Sequence, residues 1–426
     1  MNLLHLMPLA ARSAWNRRAT LALTVLAIAL SVCLLLGVER LRQGVKEGFT
    51  QSVSGADLVV GARGSPLQLM LYAVFHLGEA THNLGWPSVQ ALSAHPAVAW
   101  AIPLSLGDSH RGYPVLGTSQ AYFDHFRHGD RQALRLAKGR AFRDGPDDLF
   151  SAVLGAEVAE ALGYRLGDRL TLSHGSGEPG LAEHADKPFT VAGILARTGT
   201  PVDRAVHISL QGLEAIHLDW QGGAPIPGVS IPAQFARKFD LTPKSVTAVI
   251  LGLESRAAVF SVQRYVNGYR DEPLMAVLPG VALAQLWEVV GVGEQALLAV
   301  SGLVVAVGLA GLVAVVLAGL NERRRELAIL RSVGAGPLDI LWLLTLEGLG
   351  LTLAGAALGV ILLTGLGLAA GPWIAAHYGI VLAVAVPTAG EATLLGSVVA
   401  VGLLASLLPG WRAYRLSLAD GLTPRI

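Results

Sequence analysis

Residues 321–335, Asn-Glu-Arg-Arg-Arg-Glu-Leu-Ala-Ile-Leu-Arg-Ser-Val-Gly-Ala, form a charged island between two long apolar runs. On one side 295–320 carries no charge, and on the other 340–370 carries only Glu347. Placing one arginine at a bilayer centre costs roughly 2.5–3.5 kcal/mol. The island holds Arg323, Arg324, Arg325 and Arg331, so it cannot sit in lipid, and it is too short to fold alone. It therefore marks a turn between two membrane spans and offers a contact surface.

Spanning roughly 30 Å of hydrocarbon takes about 20 helical residues. Besides the two runs beside the island, 19–38 and 392–411 are long and apolar enough. The composition agrees: 52% hydrophobic, 15% charged and a mean hydropathy of +0.52 describe a membrane protein with a sizeable soluble part. Arg12, Arg17 and Arg18 precede the first span, the island separates the second from the third, and Arg412, Arg415 and Arg425 follow the fourth. The connection 371–391 has neither Lys nor Arg. The basic clusters thus fall on one side of a four-span topology, with both termini expected in the cytoplasm.

The reading divides the chain into an amphipathic N-terminus on the inner leaflet (1–18), a first span (19–38), a large extracytoplasmic domain (39–288) and a stalk with the second span (289–320). A cytoplasmic connection (321–338), a third span (339–370), a short exterior loop (371–390), a fourth span (391–411) and a cytoplasmic tail (412–426) complete it. A cleaved signal is the rival account of the N-terminus. The apolar run is too long for a typical signal core and no small-x-small site stands immediately before Glu39 and Arg40, so an uncleaved anchor is expected. Cys33, the single cysteine, lies in that run, so the exterior domain must fold without disulfides. Scattered basic residues form no single basic face, which excludes nucleic acid as a partner.

The exterior domain is large enough for two lobes. Strands are expected at 57–60, 98–106 (interrupted by Pro103), 152–154, 169–172, 189–194, 205–208 and 273–277, and helices at 86–94, 156–162 and 257–265. The expected fold class is four α-helical transmembrane spans plus an α+β two-lobed extracytoplasmic domain between spans one and two.

These residues carry a likeness. A long domain after the first span, three closing spans, and Glu322-Arg323-Arg324-Arg325-Glu326-Leu327-Ala328-Ile329-Leu330-Arg331-Ser332-Val333-Gly334-Ala335 before the third together resemble the FtsX/MacB/LolC-E family of ABC transporter permeases. In the exterior domain, Gly55-Ala56-Asp57-Leu58-Val59-Val60, Lys138-Gly139-Arg140-Ala141-Phe142, Val153-Leu154-Gly155-Ala156-Glu157-Val158-Ala159, Leu166-Gly167-Asp168-Arg169-Leu170 and Val191-Ala192-Gly193-Ile194-Leu195 resemble that family's periplasmic core domain, in the expected order. The resemblance implies a bacterial inner-membrane permease acting as a homodimer or beside a similar permease. A cytoplasmic ABC ATPase dimer would clasp it, and membrane lipids surround it. Substrate is moved on the outer side by motion of the exterior domain. With no G-x-x-x-x-G-K-[ST] in the sequence, ATP and Mg belong to the partner and this subunit is non-catalytic, with no cofactor of its own.

By resemblance, Glu322, Arg323, Arg324, Arg325, Glu326, Leu327, Ile329, Leu330 and Arg331 form the coupling helix that docks on the ATPase. The competing account is a basic loop that only fixes orientation. Arg412, Tyr414 and Arg415 are a further docking candidate. Glu347 is the one ionisable group well inside a span, either a functional group with a partner or a mate for Arg331 or Arg412 near the headgroups. Two small-xxx-small faces, Gly355 to Gly359 and Gly367 to Gly371, suit close helix contact.

The apolar run 66–77 is too short to span, so it is either a buried helix or a surface on which Met70, Tyr72, Val74 and Phe75 face substrate or lipid. All of the twelve histidines except His5 and His377 fall in 39–288. His76, His82, His125 and His128 are weak zinc candidates beside the commoner outcome, scattered surface histidines with no metal. Two function classes stay open. One is a mechanotransmitting permease that exports or extracts a lipoprotein, lipid, peptide or amphiphile, with zinc-linked transport as a lesser variant. The other is an FtsX-like regulator of a periplasmic cell-wall hydrolase. A periplasmic adaptor, lipoprotein or hydrolase is the corresponding partner.

Overall fold

A computed structural model describes residues 18–78, 80, 82–175, 184–221, 224–226, 228–229, 231–322, 324–332, 334–378 and 387–415. The expected amphipathic helix at the N-terminus, Arg323 and the tail beyond Arg415 lie outside these residues. The chain forms two units, one built from the apolar helices and one from residues Val45–Val290 with Ile374–Val381.

Among the described residues, four helices are long and apolar enough to cross a membrane: Arg18–Lys46, Gly291–Leu320, Pro337–Gly371 and Ala389–Arg415. They belong to α1 (Arg18–Gln51), α8 (Pro279–Glu322), α10 (Pro337–Tyr378) and α11 (Ala389–Arg415). Ile28, Val32, Leu35 and Leu36 of the first span meet Val305, Leu309, Leu312 and Val316 of the second, with Ile340, Leu344 and Ala356 of the third and Val398 of the fourth.

Small residues set how closely these helices approach. A Cβ on Gly355 would stand 2.6 Å from Ile28 Cγ2, and one on Gly359 would stand 2.8 Å from the Ala29 carbonyl oxygen. This face of the third span therefore lies against the first, as its small-xxx-small spacing anticipates. Gly402 and Gly348 make a second seam, where Thr352 and Ser406 fill the space a side chain would need. Among the described residues, none comes within 4 Å of a Cβ built on Gly371.

The other unit is built on one mixed sheet of eleven strands: β1 (Leu58–Ala62), β2 (Val98–His110), β3 (Tyr113–Thr118), β4 (Leu136–Gly139), β5 (Ser151–Leu154), β6 (Arg169–Leu170), β7 (Ser173–His174), β8 (Phe189–Leu195), β9 (Val206–Ser209), β10 (Ala248–Leu253) and β11 (Leu274–Val277). Its order is β11-β1-β10-β2-β3-β9-β5-β8-β4, with β7 on β2 and β6 on β8. β9 runs parallel to β3, and β8 parallel to β5.

Period-two alternation of apolar residues covers both faces. Leu58 and Val60 join Val249 and Leu251 in one core, while Val59 joins Ile250, Ile102 and Leu104 in another. Farther along, Val115, Ala152, Leu154 and Val206 form a third core, and Leu116 and Val153 return to the one that holds Val59. The expected two lobes are thus two ends of a single sheet. β2 runs unbroken through Pro103, which lies just beyond the first pair with β3, Leu104 with Thr118, so its missing N–H breaks no bond of that ladder.

The run 66–77 forms α2 (Pro66–Phe75), capped by the Ser65 side chain and ended by His76 in the left-handed region. Met70, Tyr72, Val74 and Phe75, weighed as substrate- or lipid-facing, are all buried in the core beside Val59, Ile102 and Leu116. Their apolar surface is consumed in holding the sheet, which corrects the substrate-facing alternative.

Candidate functional site

The island between the second and third spans is a helix, α9 (Arg324–Ser332). Leu327 is 7% exposed and packs among Leu320, Ile340 and Leu344, with Leu330 beside them. Ile329 is 61% exposed, and Glu326 is also outward. The 3.6-residue period separates the two sets: 327 and 330 share the inward face, 326 and 329 the outward one. Nothing is described of Arg323 or of the side chains of Glu322, Arg324 and Arg325. Arg331 is half-buried.

The helix ends in a defined stop. Gly334 takes φ +102°, its N–H donates to the Arg331 carbonyl, and the Ala335 N–H reaches back to the Leu330 carbonyl at 3.0 Å. That bonding satisfies the last carbonyls and turns the chain. The next helix starts at once, with Pro337 in its first turn and Asp339 accepting from the Gly336 N–H at 2.9 Å.

At the opposite ends of the spans, charged groups link three of them. Arg42 donates to Glu39 at 2.8 Å through both Nε and Nη2, and lies 3.7 Å from Glu294 of the second span. Arg40 holds Glu391 at the start of the fourth. Glu347 is half-buried on α10, next to the Gly348 seam.

The four weak metal candidates do not converge. His76 caps α2 and His82 is exposed. His125 stacks on Trp100 with ring centroids 5.3 Å apart, and His128 is half-buried on the hairpin that follows. A different set gathers instead: Asp108, His174, His184 and His217 each place one ligand atom within 4.8 Å of all the others. Sequence spacing hides it, because Asp108 and His174 meet only through the antiparallel register of β2 with β7. A bulge of β2 between Ser105 and Asp108, with Gly107 at φ +147°, aims the carboxylate.

His174 Nδ1 lies 3.0 Å from Asp108 Oδ1, and His217 Nε2 lies 3.6 Å from the same oxygen. Burial works against the Asp108 charge, but the contacts with His174 and His217 outweigh it and hold its pKa at about 2. Burial and then the neighbouring His217 push His184 down to about 4. Among the described residues, this is the only group of three or more candidate ligands.

Comparison with known proteins agrees with the architecture. Residues 21–268 match the family model for the MacB-like periplasmic core domain, and 298–418 match that for the FtsX-like permease C-terminal region. The periplasmic region of MacB from Actinobacillus actinomycetemcomitans aligns over 55% of this chain and 94% of its own, at 12% identity and a TM-score of 0.33. The extracellular domain of the noncanonic ABC-type transporter YknZ from Gram-positive bacteria aligns over 52% and 98%, at 14% identity and a TM-score of 0.30. No curated protein matches the chain. The first family model alone covers more than half of the sequence, the second follows it in order, and the chain belongs to the FtsX/MacB-like ABC transporter permeases.

Proposed function

We propose that the chain is the membrane subunit of a mechanotransmitting transporter, in which a separate ABC ATPase hydrolyses ATP with Mg and drives motion of the sheet domain. The supporting observation is the order of parts along one chain. A MacB-like domain stands between the first two of four apolar helices, and the FtsX-like region carries a short charged helix between the second and third. In this reading α9 is the handle. Leu327 and Leu330 fix it to the bundle, while Glu326 and Ile329 face the ATPase. Both termini lie in the cytoplasm, two copies of the chain pair, and the substrate is a lipoprotein, lipid, peptide or amphiphile moved on the outer side.

Co-reconstitution with the cognate ATPase tests this. Replacing Glu326 and Ile329 together by Ala should abolish stimulation of ATP hydrolysis while the chain still inserts and purifies normally. Undiminished stimulation would remove α9 from the coupling path.

A further inference from the structure

The contacts within the cluster at Asp108 leave several of its polar atoms unsatisfied. Asp108 Oδ2, both ring nitrogens of His184 and Nε2 of His217 are buried with no hydrogen-bond partner. A buried polar group left unpaired is costly, and since each of the four residues offers one ligand atom to the same small space, one bound ion can serve them together. His217 shows what kind. Its Nδ1 lies 2.9 Å from the Leu213 carbonyl, which can only accept, so neutral His217 carries its proton there. In that tautomer Nε2 turns a lone pair toward the Asp108 carboxylate, 3.6 Å from Oδ1, a place that suits a bound cation.

We propose that Asp108, His174, His184 and His217 bind a divalent first-row transition ion, zinc by ligand type and geometry. Three imidazoles and one carboxylate give the four ligands of a closed tetrahedral zinc site, whereas calcium and magnesium take oxygen ligands. With zinc–nitrogen bonds of about 2.0–2.1 Å, tetrahedral ligands stand roughly 3.3 Å apart. The present separations of 3.0 Å and 3.6 Å straddle that value, and all four ligand atoms lie within 4.8 Å of one another.

The surroundings are built to hold the set. His217 Nδ1–H on a backbone carbonyl is the outer hydrogen bond that orients a ligating imidazole. Lys187, 0% exposed, donates to Asp219 at 2.8 Å and to Asp186 at 2.7 Å. It thereby pins the segment bearing His184 to the one following His217, and engages the two other nearby carboxylates. The Trp220 ring walls one side, with its centroid 4.1 Å from that of His184, 5.8 Å from His174 and 6.0 Å from His217. With four protein ligands and no open position, the ion would clamp β2, β7 and the end of α6 (Leu210–Ile216) to the His184 segment.

The test uses the purified full-length chain in lipid nanodiscs, stripped with chelator and dialysed against buffered Zn2+. Mass spectrometry of the metal should find one zinc per chain, Co2+ should give the intense visible absorption of a tetrahedral site, and zinc should raise the melting temperature by several degrees. His184→Ala and the isosteric Asp108→Asn should each weaken binding at least about 10–100-fold, while the triple replacement of His82, His125 and His128 by Ala leaves it unchanged. Circular dichroism of each variant separates loss of metal from loss of fold. A wild-type chain that retains no zinc at micromolar free metal would overturn the proposal, as would a folded Asp108→Asn or His184→Ala chain with wild-type affinity. These results do not depend on ATPase coupling, so either reading can fail alone.

Discussion

Arg40 on the first span holds Glu391 in the first turn of the fourth, with Nε 2.6 Å from Oε1 and Nη2 3.4 Å from Oε2. Glu391 is 1% exposed and does two jobs. Thr388 N–H donates to its Oε2 at 3.2 Å, and its own N–H donates to Thr388 Oγ1 at 3.3 Å, a reciprocal capping box. One carboxylate thus starts a helix and ties it to another.

Removing Arg40 leaves that carboxylate covered but unpaired. Breaking a buried pair costs about 3–5 kcal/mol, and this pair, at the edge of the bundle, should lose about 1–3 kcal/mol on Arg40→Ala. Glu391→Ala should lose more, because the cap disappears as well, at about 1 kcal/mol. A double-mutant cycle read by thermal unfolding in nanodiscs checks this; additive losses would mean that the two side chains do not interact.

The Gly355 to Gly359 face gives a steric prediction. Alanine at either position pushes a methyl into Ile28 or the Ala29 carbonyl, and overpacking of this kind costs about 1–3 kcal/mol. Gly350→Ala, on the same helix with open space around it, should be neutral or slightly stabilising. Melting temperatures of the three variants in one lipid decide it, and equal values would deny the close approach.

α9 predicts a split between stability and coupling. Leu327→Ala empties a packed position and should lower the melting temperature of the bundle, whereas Ile329→Ala, on the outward face, should leave it within error. The same pair compared for ATPase stimulation should reverse: Ile329→Ala weakens it, and Leu327→Ala does so only where the bundle has begun to melt.

Spans and helix 156–162 were legible because charge-free length and 3.6-residue spacing are local signals. β3 and β10 escaped. Ala248–Leu253 is an uninterrupted apolar run buried on both faces, which periodicity cannot tell from a helix turn, and β3 carries Pro114. The glycines of the Gly139 and Gly193 motifs became intelligible only in three dimensions, where a Cβ on Gly139 would collide with the Ala192 carbonyl and one on Gly193 with that of Arg140. The charge of α9 was legible, but its inward face was not, since Leu327 is buried among residues of other helices. The Asp108 cluster was hidden for the same reason. Strand register and a β-bulge bring its members together, and neither is written in the spacing of histidines.

Two histidines outside that cluster set an acid limit on the sheet domain. His207 is fully buried with Nδ1 on the Val153 carbonyl, and the Nδ1 of His76 is covered. Burial lowers His76 to about 4; burial and then the charge of His76 lower His207 to about 3. Unfolded, both return to the ordinary value near 6.5. Between about 6.5 and 4 the unfolded chain therefore binds protons that the folded chain refuses. Stability falls as pH drops through that window, by up to about 1.4 kcal/mol per pH unit for each group, and neither group adds to the slope above it. His207→Asn keeps a donor for the Val153 carbonyl and removes the titration. Denaturant unfolding from pH 7 to pH 4.5 should show a shallower loss for this variant than for the parent chain. Identical slopes would mean that His207 takes up its proton in the fold, against its burial.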